Sequence, residues 1–180
     1  MKYIALLRGI NISGKNKISM SELKLELNHH YQNVSTYLNS GNVVFESDIE
    51  DKEMIMKDIH EIINNKFNLD IPVFIMTSFE LEDLLNHQPK WWGSNNKEIY
   101  HNLIFIIPPT TSKDVVNELG KINEDLEKIE EYHNSIFWSY DLKNYRKSYW
   151  WKKTASSDIK DRITIRTANT MKKVLEICKR

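Results

Sequence analysis

The sequence predicts an α+β protein made of two ferredoxin-like lobes in pseudo-tandem, each a βαββαβ unit followed by a helix, with mainly antiparallel sheets. Three observations carry that reading. Short β-rich runs and amphipathic stretches alternate as strand, helix, strand, strand, helix, strand, helix through residues 1–90, the N-terminal lobe. A stretch with Pro89, Trp91, Trp92, Gly93, Ser94 and two asparagines then breaks the pattern, which makes residues 91–98 a connector. A similar order begins again over residues 99–180, an α+β lobe with a basic tail, in which the later strands are less sharply patterned and no residue-level repeat is visible.

Residues 2–8 form the first strand, an apolar run that passes straight into a polar, glycine-bearing loop. Ser19-Met20-Ser21-Glu22 reads as a capping box, and Met20, Leu23 and Leu27 at helical spacing carry a helix onward from it. The β-rich runs 34–38 and 42–46 are joined by Asn39-Ser40-Gly41, residues that accept left-handed φ in a tight hairpin. Ile55, Ile59, Ile62 and Ile63 stripe a helix over residues 51–65. Residues 71–76 supply a fourth strand, and Ser78 is expected to cap a short helix carrying Leu81, Leu84 and Leu85.

In the second lobe a strand at 101–107 leads through Pro108-Pro109 to a helix expected to be capped by Ser112. Strands at 128–132 and 136–140 meet at His133-Asn134-Ser135. A helical piece near 156–160 and a strand near 163–166 precede a final helix striped by Met171, Val174, Leu175 and Cys178. Trp91 and Trp92 are read as packing residues between lobes.

In the split βαβ topology the first and second strands run parallel with the third between them. The end of strand one, the hairpin turn and the start of strand four therefore meet at one edge. That places the loop 9–17 beside Asn39, Ser40 and Asn42, and predicts a convergent polar site. Gly9 and Gly14 allow positive φ, in which successive amides can form an anion-binding nest, and Arg8, Lys15 and Lys17 add positive charge. Gly9, Gly14 and Lys15 fit the first seven positions of the phosphate-loop pattern G-x-x-x-x-G-K-[ST], but Asn16 replaces the metal-binding hydroxyl and the next helix begins late. A nucleoside-triphosphatase loop is therefore not expected. A plain strand-to-helix connection and an anion contact of another kind both stay open.

The 180 residues suffice for a real core and contain no apolar run of transmembrane length. The N-terminus lacks the pattern of a signal peptide, and a single cysteine, Cys178, suits a reducing compartment, so a cytoplasmic protein without membrane contact is expected. Formal charge is zero but unevenly spread. Residues 143–180 hold 12 Lys and Arg against 3 Asp and Glu, a net of +9, while residues 1–142 hold 13 against 22, a net of −9.

No histidine pattern has metal-ligand spacing, Cys178 lies on an apolar stripe, and neither a nucleophile elbow nor a serine or cysteine with an evident histidine partner is legible. No metal and no cofactor are expected. Residues 143–153 interleave five cations with four aromatics, the composition of a surface that tracks phosphates and stacks bases. Arg146, Lys147, Trp150, Trp151, Lys152, Lys153 and Arg166 thus form a candidate basic and aromatic face. The competing reading has the tryptophans plugging a gap and the lysines facing water. The aromatic strand motif of RNA-recognition modules is absent from both lobes.

Leu7-Arg8-Gly9-Ile10-Asn11 with Gly14-Lys15-Asn16-Lys17, the run Tyr37-Leu38-Asn39-Ser40-Gly41-Asn42-Val43-Val44-Phe45, and the stretch 164–175 with Arg166, Asn169 and Thr170 resemble the bacterial family called domain of unknown function 1697. The resemblance spans nearly the whole chain. It implies a two-lobed α+β protein with ferredoxin-like parts and implies no substrate. The family's usual Asn-Trp-Asn near the C-terminus is Thr167-Ala168-Asn169 here.

The leading functional expectation is a binding protein for a phosphate-bearing ligand, nucleotide or nucleic acid, at Arg8, Gly9, Asn11, Gly14, Lys15, Asn39, Ser40 and Asn42. Two alternatives accompany it: an enzyme acting on a small anionic metabolite, and a structural or interaction protein whose asparagines merely tie loops together. Partners are accordingly nucleic acid or a phosphorylated small molecule, with the oligomeric state open.

Overall fold

The computed structural model describes all 180 residues. The chain forms two four-stranded antiparallel sheets, each flanked by helices, in two compact units: Met1–Glu82 with Lys173–Arg180, and Asp83–Lys172. Residues 173–180 are thus grouped with the first unit, whereas the sequence pattern assigns them to the lobe 99–180.

In the first unit, β1 (Lys2–Leu7), α1 (Met20–Leu27), β2 (Gln32–Tyr37), β3 (Asn42–Glu46), α2 (Lys52–Phe67) and β4 (Val73–Thr77) give the strand order β2-β3-β1-β4. This is the ferredoxin-like order expected from the pattern. Tyr3, Ala5 and Leu7 on β1 face the same side as Val43, Phe45, Val73 and Ile75, and this layer packs against Leu23 and Leu27 of α1 and Ile55, Ile59 and Ile63 of α2. The alternate residues Ile4, Leu6 and Val44 are buried as well, so β1 reads as a continuous apolar run rather than an alternating one. Each such fully buried aliphatic side chain contributes roughly 2 kcal/mol of transfer free energy.

The helix after β4, α3 (Ser78–Asn86), begins one residue beyond its cap. Thr77 Oγ1 accepts from Glu80 N at 3.1 Å and Glu80 Oε2 accepts from Thr77 N at 2.8 Å, so Thr77 rather than Ser78 supplies the capping box.

In the second unit, β5 (Ile99–Ile106), α4 (Ser112–Leu119), β6 (Glu127–Tyr132), β7 (Ser135–Asp141), α5 (Tyr149–Ser156) and β8 (Ile163–Thr167) repeat the order as β6-β7-β5-β8. α6 (Ala168–Cys178) ends the chain. Ile104, Ile106, Ile136, Trp138 and Ile163 pack with Val115 and Leu119 of α4 and Trp150 of α5. The cap of α4 is Thr111, one residue before the expected Ser112, and Thr111 and Asp114 complete a capping box. Trp92 lies on this unit's own sheet, its Nε1 donating to the Asn102 carbonyl at 2.7 Å and its ring edge-on to Phe137.

Where the first lobe has the long helix α2, the second has a 3-10 turn at Tyr145–Lys147, α5 and a second 3-10 turn at Asp158–Arg162. The sequence pattern does not show α5 because only Trp150 and Thr154 on it are buried, too narrow a stripe to give periodicity.

Candidate functional site

The loop between β1 and α1 is pinned at both ends by buried side chains, Ile10 and Ile18, which join the core of the first unit. Between them the backbone turns back on itself. Ser13 and Gly14 take φ of 49° and 77°, the paired positive values of a type I′ turn, and Lys15 N donates to the Ile12 carbonyl at 2.9 Å. Asn11 N donates to the Asn16 carbonyl at 3.1 Å, closing a miniature hairpin. These bonds consume amides that a triphosphatase loop would turn toward phosphate, so the failure at Asn16 is matched by a different loop geometry.

Both expected turns lie on one rim. Leu7 N donates to the Gly41 carbonyl and Arg8 N to the Pro72 carbonyl, each at 2.9 Å, which brings the end of β1, the hairpin and the approach to β4 together. The hairpin runs over four residues, with Leu38 at φ 58° and Gly41 at φ 80° as its left-handed positions, so the strained residue is Leu38 rather than Asn39 or Ser40.

Asn11 is the hinge pin of this rim. Its Nδ2 donates to the Ile18 carbonyl at 3.0 Å and the Asn39 carbonyl at 2.9 Å, and its Oδ1 accepts from Ile18 N at 2.9 Å. Asn42 is fully buried, its Nδ2 donating to the Tyr37 carbonyl and Ser40 Oγ. A side chain so enclosed cannot reach a ligand, which removes Asn42 from the expected contact set. Arg8, Gly9 and Ser40 belong to the same rim without lining its opening.

The opening itself is a concavity of about 590 Å³ lined by Asn11, Gly14, Lys17, Ser19, Ser21 and Asn39, with Ile18 and Met20 as its apolar floor. Lys15 is exposed beside it, and neither Lys15 nor Lys17 forms an ion pair. Ser19 caps α1 by accepting from Glu22 N at 3.4 Å, and its hydroxyl sits 2.9 Å from that of Ser21. The Glu22 amide is taken by this cap, and the first turn of α1, whose Met20 and Ser21 line the opening, carries the partial positive charge of a helix start. Ser19 and Ser21 stand outside the expected contact set, although the capping box already placed the helix start beside the loop, and Lys17, expected only to add charge there, lines the opening itself.

The candidate basic face divides differently. Trp150 is fully buried, with Nε1 donating to the Gly120 carbonyl at 2.8 Å, and Arg166 is buried, with Nη1 donating to Thr164 Oγ1 at 2.9 Å. Both are therefore interior residues and leave the face. Arg146, Lys147, Trp151, Lys152 and Lys153 are exposed. Glu127, 2% exposed, holds α5 in place by accepting from Ser148 Oγ, Tyr149 N at 2.9 Å, Trp150 N at 3.2 Å, Trp138 Nε1 at 3.3 Å and Asn123 N at 2.9 Å.

The second unit also contains a serine and histidine pair that sequence spacing did not reveal. Ser94 Oγ lies 3.0 Å from His101 Nε2 at the edge of a concavity of about 490 Å³. His101 is buried, and burial, aided by the nearby Lys172 charge, pushes its imidazole below the usual histidine range. Its Nδ1 is buried without a partner, so no carboxylate orients the ring as a nucleophile's base would require. Burial also pushes the Cys178 thiol up to about 11, outweighing the nearby Lys2 charge, and leaves it a packing residue. No group of three or more His, Cys, Asp or Glu could hold a metal ion, and no helix is long and apolar enough to cross a membrane.

A family model described as "Protein of unknown function (DUF1697)" matches residues 1–137. A solved structure of a conserved bacterial protein from Streptococcus pneumoniae is similar over 98% of this chain and 97% of that one, at 26% identity and a TM-score of 0.85. No curated protein matches.

Proposed function

We propose, for a chain that belongs to the DUF1697 family of proteins of unknown function, that the rim concavity of the first unit binds a phosphate-bearing ligand, a nucleotide or a nucleic-acid backbone. The observation that carries this reading is the convergence of Lys17, the Ser19 and Ser21 hydroxyls and the start of α1 on one open concavity. A phosphate group matches that set: helix-start amides and hydroxyls donate to its oxygens, and unpaired lysines supply the countercharge. Asn39 offers a further donor, since its side chain is exposed and its carbonyl alone is used by Asn11.

Within this reading Asn11 shapes the site and Lys15, Lys17, Ser19 and Ser21 contact the ligand. Isothermal titration with inorganic phosphate and with nucleoside mono-, di- and triphosphates tests it. Saturable binding that Lys15→Ala/Lys17→Ala abolishes supports the proposal, and equal heats from the two proteins contradict it. Turnover of any bound phosphate ester would move the reading to the enzyme alternative.

A further inference from the structure

The exposed side of α5 has a composition that the core of the second unit does not explain. Trp150 fills the interior, yet the aromatics on either side of it remain open, Tyr149 at 51% and Trp151 at 38% exposure. Trp151 stands edge-on to Tyr145 with ring centres 4.7 Å apart, and the Arg146 guanidinium lies 5.7 Å from the Tyr145 ring centre. This small aromatic stack is bordered by Arg146, Lys147 and Lys152, none of which forms an ion pair. Lys52, Lys66, Lys143, Lys173 and Lys179, by contrast, all pair with glutamates. No ion pair joins these cations to Glu124, Asp125, Asp158 or Asp161 in the neighbouring stretches of chain.

We infer that the 3-10 turn Tyr145–Lys147 and α5 form a second surface, separate from the rim concavity, that binds single-stranded nucleic acid. Unpaired bases stack on Trp151 and Tyr149 while Arg146, Lys147 and Lys152 hold the phosphates. Charge complementarity selects a polyanion, and the open aromatic faces select one with exposed bases, because a duplex keeps its bases stacked on each other. Lys153 contributes less, as its Nζ donates to the Leu119 carbonyl at 2.7 Å. The Glu127 network makes the platform rigid by fixing the first turn of α5 to the core.

Fluorescence anisotropy of the full chain with a dye-labelled oligouridylate of about 12 nucleotides, a length within the range single folds cover, tests this. Binding at low salt should weaken at least tenfold in Arg146→Glu/Lys147→Glu/Lys152→Glu, and the log–log salt slope should become shallower by roughly 0.7 for each phosphate that the variant no longer neutralises. Trp151→Ala should weaken it severalfold and Trp151→Phe should restore most of it, which a purely electrostatic surface would not show. These positions are exposed, and an unchanged melting temperature confirms that the variants fold. Absence of binding at low salt, equal binding by the charge-reversed protein, or equal affinity for a duplex overturns the inference. So does cosedimentation with anionic vesicles in a protein that ignores the oligonucleotide. Loss of oligonucleotide binding in Lys15→Ala/Lys17→Ala but not in the α5 variants would uphold the rim site and overturn this one.

Discussion

Asn11 donates through Nδ2 to the carbonyl of Asn39 at 2.9 Å across 28 residues of sequence, and this bond joins the loop after β1 to the β2–β3 hairpin. The same side chain bonds Ile18 in both directions. One amide thus determines both the shape of the loop and the position at which α1 begins.

Asn11→Ala removes all three bonds and leaves an alanine at φ 53°. The expected loss is about 3 kcal/mol, from unmet backbone groups and left-handed strain together. Urea denaturation checks it, and a loss below about 0.5 kcal/mol, the level of an ordinary surface substitution, would contradict the pinning role.

Two glycines on the rim should respond differently. A Cβ on Gly41 would lie 2.7 Å from Leu7 Cβ and 2.8 Å from Ile10 Cδ1, whereas one on Gly9 meets nothing within 4 Å. Both have positive φ, so Gly9→Ala should cost about 1 kcal/mol and Gly41→Ala about 3 kcal/mol. Equal melting temperatures for the two variants would show that the close approach of β1 to the hairpin is not as described.

Glu127 is the corresponding anchor of the second unit. Glu127→Leu leaves several buried donors without acceptors and should destabilise by about 3 kcal/mol or more, with Glu127→Gln intermediate because one oxygen remains. Denaturant unfolding followed by tryptophan fluorescence reads this directly. A neutral Glu127→Leu would mean that the donors find other partners.

His101 gives a pH signature. Its folded-state pKa lies below the unfolded value of about 6.5, so the native state disfavours protonation. The stability linked to neutral His101 is complete above that unfolded value and is lost as pH falls below it. Wild type should therefore lose more stability than His101→Gln between pH 7.5 and 5.5, and a parallel loss in both proteins would contradict the burial argument.

The strand order and the shared rim were legible because they follow from local signals: the apolar run of β1, the Asn-Ser-Gly turn, and the isoleucine stripe of α2. What stayed hidden depends on partners distant in sequence or on conflicting local cues. Ser78 and Ser112 drew the caps one residue late because a threonine directly before each of them does the bonding. Trp150 and Trp151 read alike in sequence, and only the core beneath α5 distinguishes the interior one from the exposed one. Asn42 looked like a ligand contact for the same reason that it is buried: a hairpin start needs a side chain to satisfy its own turn carbonyl. The Ser94–His101 pair was concealed because a bend in the connector, rather than a periodic element, brings the two together.

Heteronuclear NMR of the amide groups during titration with inorganic phosphate tests the central claim most directly. The account predicts saturable shifts concentrated at Lys15, Lys17 and the first turn of α1 from Met20 to Glu22, absent from Lys15→Ala/Lys17→Ala. Shifts that scatter over the surface, or that persist unchanged in that variant, would contradict it.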